Sequence, residues 1–200
     1  MAEKLQFNDL LEVGASKRST GWWGVWTLIV TEASLFGYLL LSYFYLNAQM
    51  QAHWPPEGRP ELLVPGINTI ILLSSSVFVY LCERCIRVDK IRLSLLPMLI
   101  AIILGIIFVA VQMHEWHGKP YGLQSNLYGS LYFIITGFHM LHVVIGLLVL
   151  CMLQLWIALG YFDKENYNAL RIGGLYWHFV DIVWLFIFSS LYLSPYLGAG

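Results

Sequence analysis

The chain has 200 residues, of which 58% are hydrophobic, 16% aromatic and only 12% charged, and its formal net charge is −1. Soluble domains average about 25% charged residues, so this composition excludes an ordinary soluble domain and indicates an integral membrane protein. A net charge close to zero gives no reason to expect a nucleic-acid partner. Cys82 and Cys85 have CxxC spacing without a second ligand pair, so we expect them to pack at the end of a span rather than bind zinc.

Five hydrophobic stretches separated by polar connections predict an all-α integral membrane bundle of five transmembrane helices. About 20 apolar residues at 1.5 Å each are enough to cross a hydrocarbon core of ~30 Å. The polar N-terminal segment, residues 1–21, has no signal-peptide core, and residues 196–200 are expected to form a short external tail. The transmembrane domain is predicted at residues 22–195, with spans at about 22–47, 66–82, 93–113, 128–159 and 173–194.

Positive charges are distributed unequally between the two sides of this predicted bundle. Of the 11 Lys and Arg residues, only Arg59 and Lys119 fall in the connections on one side. Cytoplasmic connections carry the excess of Lys and Arg, so we expect the N-terminus in the cytoplasm and the C-terminus outside.

Five polar side chains fall inside the predicted spans, where desolvation makes them costly. Glu32 and Asp181 are the only formal charges well inside a span, and His139 and His142 lie near the middle of the fourth. His178 lies one helical turn before Asp181. Counted at 1.5 Å per residue, all five lie in the cytoplasmic half of the bilayer at overlapping depths. They can therefore form one buried polar cluster if the first, fourth and fifth helices are neighbours.

The residues alone leave four interpretations of this cluster. A carboxylate in lipid must pair, hydrogen-bond or stay protonated, so the first is a structural Glu–His hydrogen bond that holds helix register. The second is a role in proton handling or in binding lipid headgroups. The third is bis-histidine haem ligation, for example by His139 and His178, and the fourth is a metal site, although no HxxxH or ExxH spacing is present. We expect His114, Glu115 and His117 in a solvated turn at the outer interface.

No nucleophile elbow, phosphate-binding loop or pair of catalytic carboxylates is present in the sequence. From the residues alone, the chain is therefore interpreted as a packing partner of other membrane subunits rather than as an enzyme.

Several motifs resemble those of one membrane-protein family. Residues 137–146 (GFHMLHVVIG) are similar to the GFHxxHVxxG signature of subunit III of the haem–copper terminal oxidases, and residues 176–184 (YWHFVDIVW) resemble that family's last helix. Residues 68–76 (NTIILLSSS) look like its NTxxLLxSS helix, and residues 112–115 fit its QxxE. Thr31-Glu32 fits the helix that bears the family's buried glutamate.

The resemblance implies a non-catalytic subunit of a cytochrome c or quinol oxidase in a bacterial cell membrane. Such a subunit binds no haem or copper. It packs on catalytic subunit I, which reduces O2 to water and pumps protons, and it is expected to stabilise that subunit, support proton uptake and bind phospholipids. Many members have two further N-terminal helices that open a lipid-filled cleft, and the five-span form resembles bacterial members.

The resemblance also implies residue roles. Glu32 takes the place of the family's intramembrane carboxylate, and its expected hydrogen-bond partner is His142 rather than His139. His178 and Asp181 occupy the last-helix motif. The alternatives are a subunit III-like component of a nitric-oxide reductase and a stand-alone b-type membrane cytochrome.

Overall fold

The computed structural model describes residues 20–50, 54–56, 58–165 and 167–197, and every regular element in them is helical. Most of the predicted N-terminal segment and the end of the predicted tail lie outside these residues. The helices are α1 (Thr20–Met50), α2 (Leu63–Arg87), α3 (Ile91–Gly118), α4 (Leu127–Ala158) and α5 (Asn168–Phe188); α5 continues through a π-helical segment (Ser189–Leu193) into a final turn (Ser194–Leu197).

The predicted all-α fold with five membrane spans is confirmed. Five helical segments of the described chain are long and apolar enough to cross a membrane, and the shortest has 25 residues. The fifth consists of α5 together with the π-helical segment and the final turn. Each of the five exceeds the roughly 20 residues that a hydrocarbon core requires.

Most of the helices extend beyond the hydrophobic stretches from which the spans were predicted. The clearest case is α3, which continues through Gly118, so His114, Glu115 and His117 lie on its last turns and not in a loop. The physical reason is that hydropathy records only the part of a helix in contact with hydrocarbon, whereas backbone hydrogen bonding carries the helix into the headgroup region.

The final span contains a local change in helical pitch. The π-helical segment of α5 directly precedes Ser194 and Pro195, and proline has no N–H to continue the regular α-helical bonding pattern. Tyr192 lies in this segment and is fully buried. The segment therefore places a phenol hydroxyl inside the bundle close to its end.

Four of the helices form a closed ring of contacts and the fifth lies outside it. In chain order α2 packs on α3, α3 on α4, α4 on α5, and α5 returns to α2. Helix α1 packs on α4 and α5 and has the smallest buried share of the five spans. The largest fully buried side chains of this bundle include Trp177 and Trp184, both on α5.

Candidate functional site within the bundle

Trp177 of α5 lies at the centre of the four-helix ring. The Trp177 side chain is fully buried, and its indole N–H donates to the Ser75 hydroxyl of α2 at 2.9 Å. Ser75 donates its own proton to the Leu72 carbonyl at 2.6 Å, so its oxygen is free to accept from the indole. A Cβ on Gly105 of α3 or Gly146 of α4 would approach the Trp177 ring to 3.0 or 2.8 Å. The two glycines therefore make the space that this ring occupies.

Trp184, two turns further along α5, repeats the arrangement. Its indole N–H donates to the Thr69 hydroxyl of α2 at 2.9 Å, and Thr69 donates to the Pro65 carbonyl at 2.8 Å. The His139 ring of α4 stacks on Trp184 with a centroid separation of 5.0 Å, and Phe108 of α3 meets Trp184 edge-on at 5.0 Å. The motif at residues 176–184 of α5 therefore contacts two other motifs, residues 68–76 of α2 and residues 137–146 of α4, and lies between them.

His139 faces aromatic rings rather than the acidic residues. It is 1% exposed, and besides Trp184 it contacts Phe108 and Phe36 edge-on. Neither of its ring nitrogens reaches a hydrogen-bond partner among the described residues. Its immediate contacts are therefore those of a core aromatic residue.

Of the five predicted polar residues, only Glu32 and His142 lie within hydrogen-bond distance of each other. His142 Nε2 of α4 lies 3.1 Å from Glu32 Oε2 of α1. Phe36, one turn after Glu32, packs edge-on against the His142 ring at 5.2 Å. The His142 side chain is 10% exposed and that of Glu32 is 27% exposed. This contact joins the outlying helix α1 to the four-helix ring.

The geometry of this pair limits where its protons can lie. His142 Nδ1 lies 2.7 Å from the Phe138 carbonyl, which can only accept, so Nδ1 carries a proton. A neutral ring would then present a lone pair from Nε2 to the Glu32 carboxyl. The 3.1 Å contact is a hydrogen bond only if one further proton lies on Nε2 or on the carboxyl. A proton shared by Glu32 and His142 would therefore join α1 to α4 at this contact.

His178 and Asp181 face α2 instead of joining the Glu32–His142 pair. His178 Nδ1 hydrogen-bonds the Ser76 hydroxyl at 2.9 Å. Asp181 lies close to the same hydroxyl and is 4% exposed, but neither carboxyl oxygen makes a hydrogen bond of normal length to the described residues. The five predicted residues thus divide into the Glu32–His142 pair, the two residues beside Ser76, and His139 among aromatic rings. A shared function for them stays a prediction.

A second polar cluster, which the sequence did not reveal, lies at the other end of the bundle. Glu115 Oε1 of α3 accepts from Lys119 at 2.8 Å, and the hydroxyls of Tyr192 and Tyr132 lie within 2.9 and 3.2 Å of it. The two hydroxyl oxygens are 2.8 Å apart. Their two protons are therefore shared among three contacts, two with Glu115 and one between the hydroxyls. The expected solvated turn is therefore wrong for Glu115, whose side chain is only 8% exposed. The QxxE pattern of residues 112–115 is the sequence signal that could have singled out Glu115.

We expect Glu115→Ala to lower the free energy of unfolding by about 3 kcal/mol, because it leaves Lys119 and two buried hydroxyls without their common acceptor. Glu115→Gln keeps one acceptor oxygen and should have a smaller effect. Unfolding of the purified chain by sodium dodecyl sulfate in mixed micelles measures both. The control is Glu61→Ala, since Glu61 is exposed at the same end. Equal stability of Glu115→Ala and Glu61→Ala would show that the cluster contributes nothing.

The described residues offer little to a metal or a haem. No three of their His, Cys, Asp or Glu side chains converge as metal ligands. The two histidines considered for haem ligation are directed elsewhere, His139 onto Trp184 and His178 onto Ser76. Cys82 is buried and Cys85 is partly buried.

Comparison with known proteins agrees with the motifs. The family model described as cytochrome c oxidase subunit III matches residues 16–196. The chain is similar to the cytochrome c oxidase subunit 3 of Thermostichus vulcanus, with 34% identity over 173 residues that cover 85% of each protein. It is 39% identical to the subunit of that name from a Synechocystis strain, over 85% of this chain and 74% of the relative.

A plant relative carries the same name. The Arabidopsis thaliana cytochrome c oxidase subunit 3 is 33% identical over 85% of this chain and 67% of its own length. These names do not favour the nitric-oxide reductase or b-type cytochrome alternatives, and the expected family is confirmed. The chain belongs to the cytochrome c oxidase subunit III family.

Proposed function

We propose that the chain is the non-catalytic subunit III of a proton-pumping haem–copper oxidase of an aerobic respiratory chain. The observation that carries this proposal is the family match over residues 16–196, which spans all five transmembrane helices. The chain has no active site of its own in this proposal. Reduction of O2 to water takes place in the catalytic subunit I, which holds the haem and copper.

Within that complex, the proposed task of this chain is to stabilise subunit I and to support proton uptake. The Glu32–His142 pair supports the second part, because it brings a carboxyl and an imidazole to hydrogen-bond distance between α1 and α4 in the membrane-spanning part of the bundle. The Trp177 and Trp184 contacts support the first part. They bind α5 to three other helices and give the subunit a rigid body against which a partner can pack.

The proposed location is the bacterial cell membrane, with the N-terminus of the chain in the cytoplasm. Arg87 at the end of α2 and Arg171 at the start of α5 lie at the same end of the bundle, since both approach Glu83, and Arg171 also stacks on Trp22 of α1. The basic residues of the connections therefore collect at one end of the helices. The rule that cytoplasmic connections carry the excess of Lys and Arg supports a cytoplasmic assignment for this end.

Co-purification in mild detergent tests the proposal. We expect the tagged chain to bring down a large subunit whose optical spectrum shows haem and whose metal content includes copper, whereas the chain separated from it shows neither. Haem bands in the separated chain would support a b-type cytochrome instead. A haem-bearing partner without copper that reduces nitric oxide would support the reductase alternative. Absence of any haem-bearing partner would contradict the proposal.

A further inference from the structure

A groove opens between the start of α3 and the end of α4, at the end of the bundle that carries most of the Lys and Arg residues. Its volume is about 810 Å³. One wall is the turn before α3 with the first residues of that helix, and the other is the last turn of α4 with Gly160. Gln154 of α4 donates to the Leu95 carbonyl at 3.3 Å and so joins the two walls. We call this feature the α3–α4 groove.

The polar part of the α3–α4 groove carries positive charge that has no ion-pair partner among the described residues. Lys90 and Arg92 line it, both are exposed, and neither makes an ion pair with the described residues. Arg87 on the preceding turn contrasts with them, because Glu83 binds it at 2.6 Å. Asp89 also lines the groove, so the side chains sum to one net positive charge.

The backbone at this end of the groove adds to the positive potential. Lys90 is the N-cap of α3, no side chain caps the helix, and no acidic residue lies in its first turn. The first amides of a helix have no acceptor within the helix, and the helix dipole favours an anion beside them. Asp89 has a left-handed backbone (φ 62°) and lies before the helix, so it does not take the capping position.

The remainder of the groove is apolar and continues into the membrane-spanning region. Leu93 and Leu95 line it from α3, and Ile157 and Leu159 line it from α4 and the residue after it. Leu93 and Leu159 are more than half exposed, as expected of side chains that face lipid. A phospholipid has a charged headgroup and aliphatic acyl chains, and the groove has a charged end and an aliphatic lining between two helices. Basic pockets between transmembrane helices are known to bind anionic headgroups.

We propose that the α3–α4 groove is a binding site for an anionic phospholipid, with its phosphate held by Lys90 and Arg92 and an acyl chain along the seam between the helices. The proposal deepens the phospholipid binding that the family resemblance implies, by naming a lipid class and a place. It rests on the chain being a membrane subunit, but not on which catalytic subunit accompanies it.

Native mass spectrometry of the complex purified with this chain tests the proposal, with lipid adducts read on the released chain. After delipidation, the complex is titrated with dioleoyl phosphatidylglycerol, with dioleoyl phosphatidylcholine or with inorganic phosphate. We expect the chain to retain phosphatidylglycerol in preference to phosphatidylcholine. Lys90→Ala/Arg92→Ala should raise the apparent Kd for phosphatidylglycerol roughly 30-fold, since each cation near a lipid surface contributes a factor of about five.

A charge-matched control separates a local site from general attraction. Arg84→Ala/Lys164→Ala removes two exposed positive charges from the same end of the bundle without touching the groove, and should leave the Kd within about twofold. Ala158→Trp places a bulky ring at the exposed edge of the groove and should weaken lipid binding while both cations remain. Equal losses in the two double variants, or equal retention of the two lipids, would overturn the proposal. Binding of inorganic phosphate as tight as that of the lipid would also overturn it, because an acyl chain would then contribute nothing.

Discussion

Trp177→Ala is expected to lower the free energy of unfolding of this chain by about 3–5 kcal/mol, the range observed when a buried tryptophan or phenylalanine is cut back to alanine. The ring fills the space between Gly105 and Gly146, and its indole N–H donates to Ser75, so its loss leaves a cavity between four helices. Unfolding by sodium dodecyl sulfate in mixed micelles, followed by circular dichroism, measures the loss.

Two variants divide the effect of Trp177 into its parts. Trp177→Phe keeps most of the ring and removes the N–H, so we expect a smaller loss, of which about 1 kcal/mol is the hydrogen bond. Gly146→Leu keeps the tryptophan but places a side chain in the space that its ring occupies. We expect this overpacking to destabilise the bundle, because even a Cβ on residue 146 would approach the Trp177 ring to 2.8 Å. Trp26→Ala is the matched control, since Trp26 is 40% exposed on α1. If Trp177→Ala were no more destabilising than Trp26→Ala, Trp177 would not be the centre of the bundle.

His142→Leu is expected to destabilise the chain more than Glu32→Leu/His142→Leu, although the second variant carries one change more. The single change leaves the Glu32 carboxyl, 27% exposed, without its partner inside the membrane-spanning region, whereas the double change removes both groups. A double-mutant cycle isolates the coupling, which we expect at about 1 kcal/mol, as for other hydrogen bonds between transmembrane helices. Additive effects of the two single changes would show that the contact has no energetic value.

The same pair has a functional readout in the purified oxidase. We expect Glu32→Ala to leave assembly mostly intact but to shorten the working life of the enzyme or slow its proton uptake. Glu32→Gln separates charge from hydrogen bonding, because glutamine can still bond to His142 but cannot share a proton with it. An exposed hydroxyl two residues along α1, changed as Ser34→Ala, is the control. A turnover number and lifetime unchanged in Glu32→Ala would count against a role for the pair in the oxidase.

Five membrane spans follow from the sequence because the polarity of each residue decides what it costs to place that residue in hydrocarbon. A run of apolar residues therefore identifies a span without any knowledge of its neighbours. The same reasoning brought Glu32 and His142 to a common depth, since depth depends only on the count of residues from a span boundary. The structure then places their side chains 3.1 Å apart.

The neighbours of each side chain around the helix axis were decided by the tertiary structure alone. A soluble helix shows its buried face as a stripe of apolar residues, but the apolar residues of α3 surround the helix almost evenly, so its pattern does not separate a lipid-facing side from a protein-facing side. Phe108 of α3 could therefore not be directed to His139 and Trp184 before the helices were packed.

Glu115 shows the same division between sequence and structure. Its position near the end of a hydrophobic stretch predicted exposure, and only the approach of Tyr132 and Tyr192 from two other segments buries it. The sequence by itself determined how many helices are long and apolar enough to cross the membrane, and it predicted a depth for each polar group. The tertiary structure decided which of these groups meet, because contacts between transmembrane helices depend on shape and on hydrogen bonds across interfaces, and neither is visible along a single helix.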